Sequence, residues 1–180
     1  MTLRKLALLG HPVLLTPAAP LTEVRTTEVQ RLIDDMLATM DDARGIGLAA
    51  PQVYEPVRIV ALRELADRAE RAEAPARVLV NPELRPLDEA EAIDWEGCLS
   101  IPGIRGRVPR HRRVAYRALD RQGEPVAGEA QGLVARILQH EVDHLDGILF
   151  PMRMRDLRQL ALTSELALLA QWLEQEGVCP

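Results

Sequence analysis

Apolar residues recur at Val29, Leu32, Ile33, Met36, Leu37 and Met40, the three-and-four spacing of a helix with one core-facing side. Thr26 or Thr27 offers a cap for its start, and the stripe closes before Gly45. Met36 and Met40 lie on the apolar side and read as core. The period then shortens. Residues 57–62 read as a strand, and Val78, Leu79 and Val80 as a second one, stopped by Asn81-Pro82. Alternation over residues 114–119 predicts a third, with Asp120-Arg121-Gln122-Gly123 as a turn into another short strand. Residues 64–75 are charged and Ala-rich, a surface loop or short helix, and residues 86–91 form an acidic connection. Helical spacing returns from about residue 133 to 146, with Gly147 as its stop. It returns again over residues 156–174, where Leu157, Leu160, Leu166, Leu169 and Leu173 supply an apolar face. Helix, several short strands and helix in that order predict an α+β protein with antiparallel-rich sheets.

The chain has 180 residues, enough for one domain with a sizeable core, and no internal repeat or linker divides it. We therefore expect a single domain over residues 1–180. Aromatic residues are only 3%, so Leu, Val, Ile and Ala must build the interior. The net charge of −5 gives no sign of a nucleic-acid-binding surface, although residues 105–113 are locally basic. Two cysteines, Cys98 and Cys179, are too few for a disulfide framework and suit a reducing, cytoplasmic setting. Arg4-Lys5 before Leu6-Ala7-Leu8-Leu9 has a faint signal-peptide character, but Gly10, His11 and Pro12 interrupt the apolar run too early. No stretch approaches the ~20 apolar residues that span a bilayer.

The helix predicted over residues 133–146 carries Gln139-His140-Glu141-Val142-Asp143-His144. Residues i and i+4 share a helix face, so His140 and His144 can grip one metal ion and Glu141 can reach a water beside it. This is the H-E-x-x-H arrangement of metal-dependent hydrolases. The third ligand decides among them. Phe150 stands six residues after the second histidine, where one class of zinc peptidases has another histidine, and it cannot ligate. A downstream glutamate is the alternative, and Glu165 is the candidate. Upstream, Trp95-Glu96-Gly97-Cys98-Leu99-Ser100 offers a thiolate. Cys98 with both imidazoles gives three ligands and leaves a fourth position for water, the pattern of a catalytic site. A third reading is a closed structural zinc site that adds Cys179, although the penultimate residue is where chains fray.

Gly45-Ile46-Gly47-Leu48-Ala49-Ala50-Pro51-Gln52 fits a loose dinucleotide-binding fingerprint, but that fingerprint must follow a strand and open a helix, and this run follows a helix and enters a proline. The glycines suggest close approach of backbone to a ligand, and the Gln52 amide could donate to an oxyanion.

These three runs, with His140 and His144 followed by Leu145-Asp146-Gly147, resemble in order the three signature motifs of the peptide deformylases. Gly10-His11-Pro12-Val13-Leu14-Leu15 resembles the N-terminal segment of that family. Trp95 and Ile101-Pro102-Gly103 resemble the branch shared by bacterial and organellar deformylases. The likeness runs from about residue 3 to about residue 155. It departs at Tyr54-Glu55, where many members have a glycine, and at Leu133-Val134, where an aromatic residue is common; both changes are expected to touch the substrate pocket. The C-terminal segment is less basic than in some bacterial members, so docking to the ribosome is in doubt.

The resemblance implies a central metal-binding helix, a C-terminal helix, and removal of the formyl group from the N-formylmethionine of new polypeptides. It implies Cys98, His140 and His144 as ligands of one divalent ion, Fe(II) in cells, with Zn, Ni or Co able to occupy the site. Glu141 is then the proton carrier, with the Gln52 amide and the Leu99 backbone N–H as oxyanion donors. Gly45, Ile46, Gly47, Leu133 and Ile137 are the expected substrate-binding residues, the glycines and residues 103–106 by strand addition and the others as a methionine pocket. The partners expected are nascent formylated chains and the ribosome, with no nucleic acid recognised as such and no membrane.

Overall fold

The computed structural model describes residues 1–64 and 74–177. The expected loop over residues 64–75 lies almost wholly outside the described residues, as does Cys179. The first helix, α1, spans Thr27–Asp42, and the Thr26 hydroxyl accepts from the Val29 N–H at its start. Three strands follow: β1 (Gly47–Ala49), β2 (Ile59–Arg63) and β3 (Ala76–Pro86). A long hairpin comes next, β4 (Glu91–Cys98) and β5 (Ile101–His111), and then a second one, β6 (Arg113–Leu119) and β7 (Pro125–Gln131). Helix α2 occupies Gly132–Leu145, and the chain ends with strand β8 (Leu160–Leu162) and helix α3 (Leu166–Gln175). The strands form a five-stranded sheet in the order β1-β2-β3-β6-β7 and a three-stranded sheet in the order β4-β5-β8, with every ladder antiparallel. The α+β architecture with antiparallel sheets about α2 is the one expected.

The larger sheet is covered on both faces. Val60, Leu62 and Leu79 face α2 through Ala135, Ile137 and Leu138. Their neighbours Ile59, Ala61, Val78 and Val80 face α1 through Leu32, Ile33, Met36 and Met40. Successive residues of a strand point to opposite faces, so a strand buried twice reads as a continuous apolar run. A third cluster joins Leu14, Ile101, Val108, Leu149 and Phe150 behind the smaller sheet. Gly147 ends α2 in the left-handed region (φ 73°), where a β-carbon would lie 2.8 Å from the Leu15 carbonyl carbon. Both facts favour glycine at that stop.

Three expectations are corrected. Asn81-Pro82 does not end a strand: β3 runs on to Pro86, with a register shift between Val80 and Glu83. Asn81 enters the left-handed region (φ 51°), and its side chain spans the bulge to bond both backbone groups of Leu21. The segment read as one helix over residues 156–174 splits. The Asp156 carboxylate caps a 3-10 turn over Leu157–Gln159, β8 adds to the edge of β5, and α3 begins only at Leu166. Residues 86–91 shrink to a short connection because the flanking strands extend into them.

Phe150 is 1% exposed and stacks on the His140 ring with centroids 6.3 Å apart. A β-carbon on Gly106 would meet it at 2.9 Å, so the cluster has no slack on that side. Phe150→Ala should cost about 3–5 kcal/mol, read as a lower urea midpoint with an unchanged slope. A shift below ~1 kcal/mol would remove Phe150 from the core that supports the helix.

Candidate metal centre and active site

Helix α2 delivers His140 and His144 one turn apart, with ring centroids 5.0 Å apart. Cys98 comes from the far end of β4, where the register shifts between Gly97 and Cys98 and the chain turns through Leu99 and Ser100 into β5. That turn swings the thiol out of the ladder toward the helix. The Cys98 Sγ lies 3.2 Å from the His144 Nε2, and one ligand atom from each of the three residues lies within 4.8 Å of the others. An ion bound at ~2.3 Å to sulfur and ~2.0 Å to nitrogen spans separations of this size.

A buried carboxylate orients the first imidazole. Glu96 Oε2 sits 2.9 Å from the His140 Nδ1, which leaves Nε2 for a metal. Arg110 grips Glu96 with two bonds (Nε to Oε1 2.9 Å, Nη2 to Oε2 3.0 Å), and Arg136 Nη1 adds a third to Oε1 at 2.8 Å. Arg110 reaches on to Asp143 Oδ2 at 2.5 Å, and Arg153 Nη2 holds Asp143 Oδ1 at 2.7 Å. Burial opposes the charge on Glu96, but the bonds from His140 and Arg110 outweigh it and hold the carboxyl well below its ordinary range. Burial also disfavours a proton on His140; Cys98, Glu96 and Glu141 overcome that and raise its pKa, whereas burial and the charge of His140 push His144 down.

Glu141 is 5% exposed, and burial pushes its carboxyl up to about 7 against the pull of His140. Among the described residues its Oε2 has no hydrogen-bond partner. A β-carbon on Gly47 would lie 2.3 Å from its Oε1, so the absence of one at Gly47 is what lets the carboxylate stand there. Gln52 is 2% exposed. Its Oε1 accepts from the Ala49 N–H at 2.8 Å, which turns Nε2 toward the Cys98 Sγ (3.4 Å) and the Ser100 Oγ (3.2 Å). The donors present, one thiol and two imidazoles converging beside an unpartnered buried carboxylate, fit a divalent ion.

A cavity of about 370 Å³ opens from these groups, lined among others by Gly45, Ile46, Gly47, Gln52, Cys98, Leu99, Leu133, Ile137, His140 and Glu141. Every substrate-binding residue expected from the sequence is on its wall. Two expectations fail. Arg105 and Gly106 pair with β8 on one side and β4 on the other, so no strand can add at those two positions. Tyr54 is not on the cavity wall: it closes the turn after Gln52 in the left-handed region (φ 68°), a conformation that favours glycine. Glu165, the rival ligand, is exposed on the turn before α3 and outside the cluster. The reading missed the roles of Glu96, Arg110, Arg136 and Asp143. A carboxylate two residues before a candidate ligand, in a run otherwise apolar, was the available signal.

A helix-borne H-E-x-x-H pair, an upstream thiol and antiparallel sheets around them define a metal-dependent hydrolase with a Cys-His-His centre. The chain belongs to the polypeptide deformylase family, whose sequence model matches residues 3–160. It is 46% identical over 160 residues to peptide deformylase 1 of Bordetella pertussis, covering 88% of this chain and 91% of that protein. It is 44% identical over 166 residues to peptide deformylase 2 of Ralstonia nicotianae, covering 91% and 94%. The Met-Ala-Ser-bound class I type b peptide deformylase of Acinetobacter baumannii superposes with a TM-score of 0.78 at 40% identity, over 85% of this chain and 99% of that one. A peptide deformylase from Legionella pneumophila gives 0.78 at 34% identity over 99% of this chain and 100% of that one.

Glu96→Gln keeps the shape but weakens the hold on His140, and we expect metal affinity to fall by 10–100-fold in a chelator competition. Unaltered affinity would show that His140 needs no such partner. Gly47→Ala should keep its metal yet lose most activity, because Glu141 must move; the comparison is metal content against turnover on one preparation.

Proposed function

We propose that this chain uses Cys98, His140 and His144 to hold one divalent ion and, with Glu141, removes the formyl group from the N-formylmethionine of newly made polypeptides, releasing formate. The observation that carries the reading is the convergence of those three donors beside a buried carboxylate at the end of a cavity with an open strand edge. A bound ion supplies Lewis acidity and a water of lowered pKa. We assign Fe(II) to it in cells, with Zn, Ni or Co serving in purified protein; sulfur and nitrogen donors accept all four.

The rest of the chemistry falls to the chain itself. Glu141 takes the proton of the attacking water and hands it to the departing amine. The Gln52 amide, fixed by Ala49, and the backbone N–H of Leu99 donate to the formyl oxygen as it gains charge. Ile46, Leu133 and Ile137 receive the methionine side chain. The substrate backbone adds to the outer edge of β1, which pairs with β2 alone among the described residues. The Ile46 carbonyl bonds the Arg63 N–H, so by the alternation of an antiparallel ladder the groups of Gly47 face outward.

We assign the activity to the cytoplasm, on chains emerging from the ribosome. No described helix is long and apolar enough to cross a membrane. Helix α3, Leu-Ala-Leu-Leu-Ala-Gln-Trp-Leu-Glu-Gln, carries no basic residue, so any ribosome contact it made would not be a cationic grip on RNA.

Protein prepared without oxygen should release formate from formyl-Met-Ala-Ser, and Glu141→Ala should abolish this while keeping its metal. Gln52→Ala should lower kcat by about 10²–10³-fold with metal retained. Cys98→Ser protein that kept both metal and activity would instead favour a peptidase using another third ligand.

A further inference from the structure

Two arginines on the cavity wall have no work in the chemistry above. Arg44 and Arg105 both line the cavity, and among the described residues neither guanidinium has a hydrogen-bond or ion-pair partner. Several exposed arginines away from the cavity, such as Arg25, Arg117 and Arg155, face a carboxylate, whereas these two face the cavity. The cavity's other charges are accounted for: Arg136 is tied to Glu96, and Glu141 stands at the metal centre. A chain of net charge −5 thus presents two uncompensated cations beside its active site.

Their placement says which part of a substrate they meet. Gly47 abuts Glu141, so the reacting formyl end lies level with Gly47. Arg44 stands three residues before Gly47, in the turn ahead of β1, and lines the same cavity. A substrate whose formyl end is held at Gly47 leaves its following residues to the rest of this cavity, where Arg44 and Arg105 stand. Arg44 sits in the left-handed region (φ 54°), at the turn where α1 gives way to this edge. Arg105 stands on the opposite wall, paired with Gly97 across the hairpin. A β-carbon on Gly97 would lie 2.1 Å from its Nη1, so the guanidinium lies against bare backbone next to Cys98.

We propose that Arg44 and Arg105 are specificity-determining residues that favour nascent chains carrying Asp or Glu at the second or third position after formylmethionine. The proposal rests on the deformylase reading for the direction in which substrate lies. Ion pairs near the surface are individually weak, so the two together are expected to give roughly tenfold discrimination between acidic and basic side chains. The effect belongs in KM and should fade as salt screens it.

The test uses the metal-loaded full chain and C-terminally amidated peptides, which carry no terminal carboxylate. Formyl-Met-Ala-Ser, formyl-Met-Asp-Ser, formyl-Met-Ala-Asp and formyl-Met-Lys-Ser are compared by kcat/KM at low and high salt. Calorimetric binding of Met-Asp-Ser-amide and Met-Lys-Ser-amide reports the same preference without chemistry. We expect an acidic-to-basic ratio near ten at low salt, shrinking at high salt and falling by about threefold in each of Arg44→Asn and Arg105→Gln. Asparagine is chosen at 44 because it tolerates the left-handed backbone. A ratio near one in both measurements, or one that survives both substitutions, overturns the proposal. No formate from the neutral peptide would defeat the deformylase reading instead, while the binding comparison would still decide the role of the arginines.

Discussion

The buried carboxylate of Glu96 is the constraint on which the rest of the site depends. It is 3% exposed and receives bonds from Arg110, Arg136 and His140. Taking such charges out of water costs several kcal/mol per ion, recovered only when every lone pair is used. Here they are used, and the geometry follows. Glu96 belongs to β4, Arg110 to β5, and Arg136 and His140 to α2, so one anion locks the hairpin that carries the thiol to the helix that carries the imidazoles. Asp143 extends the lock through Arg110 and Arg153 to the turn that holds Phe150. Sulfur and nitrogen from distant parts of the chain therefore meet where the hairpin and the helix are locked together.

What could be read from the sequence divides along the same line. His140, Glu141 and His144 are local: their spacing states a helix face, and α2 lies within one residue of the expected span at each end. Helix α1 was equally legible, because a stripe and a threonine cap are local signals too. Cys98 is joined to them only by tertiary structure, so chain spacing alone left Glu165 and Cys179 in play, and family resemblance did the rest. Glu96 stood in the quoted motif, yet its partners Arg110 and Arg136 lie 14 and 40 residues away, and nothing local pairs them.

The strands show why the remainder was hidden. Asn81 reads as a breaker because asparagine favours turns, but a single left-handed residue inside a ladder makes a bulge and the strand resumes. Residues 101–111 contain two prolines and two glycines and receive no element from the sequence pattern, yet they form a strand bonded on both sides for part of its length. Leu157 and Leu160 fit a helical stripe by spacing alone; the Asp156 side chain instead favours a turn, and the free edge of β5 recruits the next three residues as β8. In each case a neighbour distant in sequence overrode local preference.

That recruitment shapes the cavity. With β8 bonded to one edge of β5 and β4 to the other, Arg105 and Gly106 have their backbone groups engaged on both sides. The opposite wall keeps an open edge, since β1 ends its sheet. In the reading proposed here, the open edge rather than any single side chain would orient the substrate. The glycines fit this asymmetry. Gly47 and Gly97 are both outside the left-handed region, so neither is needed for backbone freedom. Each is needed for space: Gly47 for the Glu141 carboxylate on the open side, Gly97 for the Arg105 guanidinium on the closed side. A Gly-x-Gly pattern that superficially suggests phosphate binding thus serves a different demand, the approach of an acid to within reach of a reacting bond.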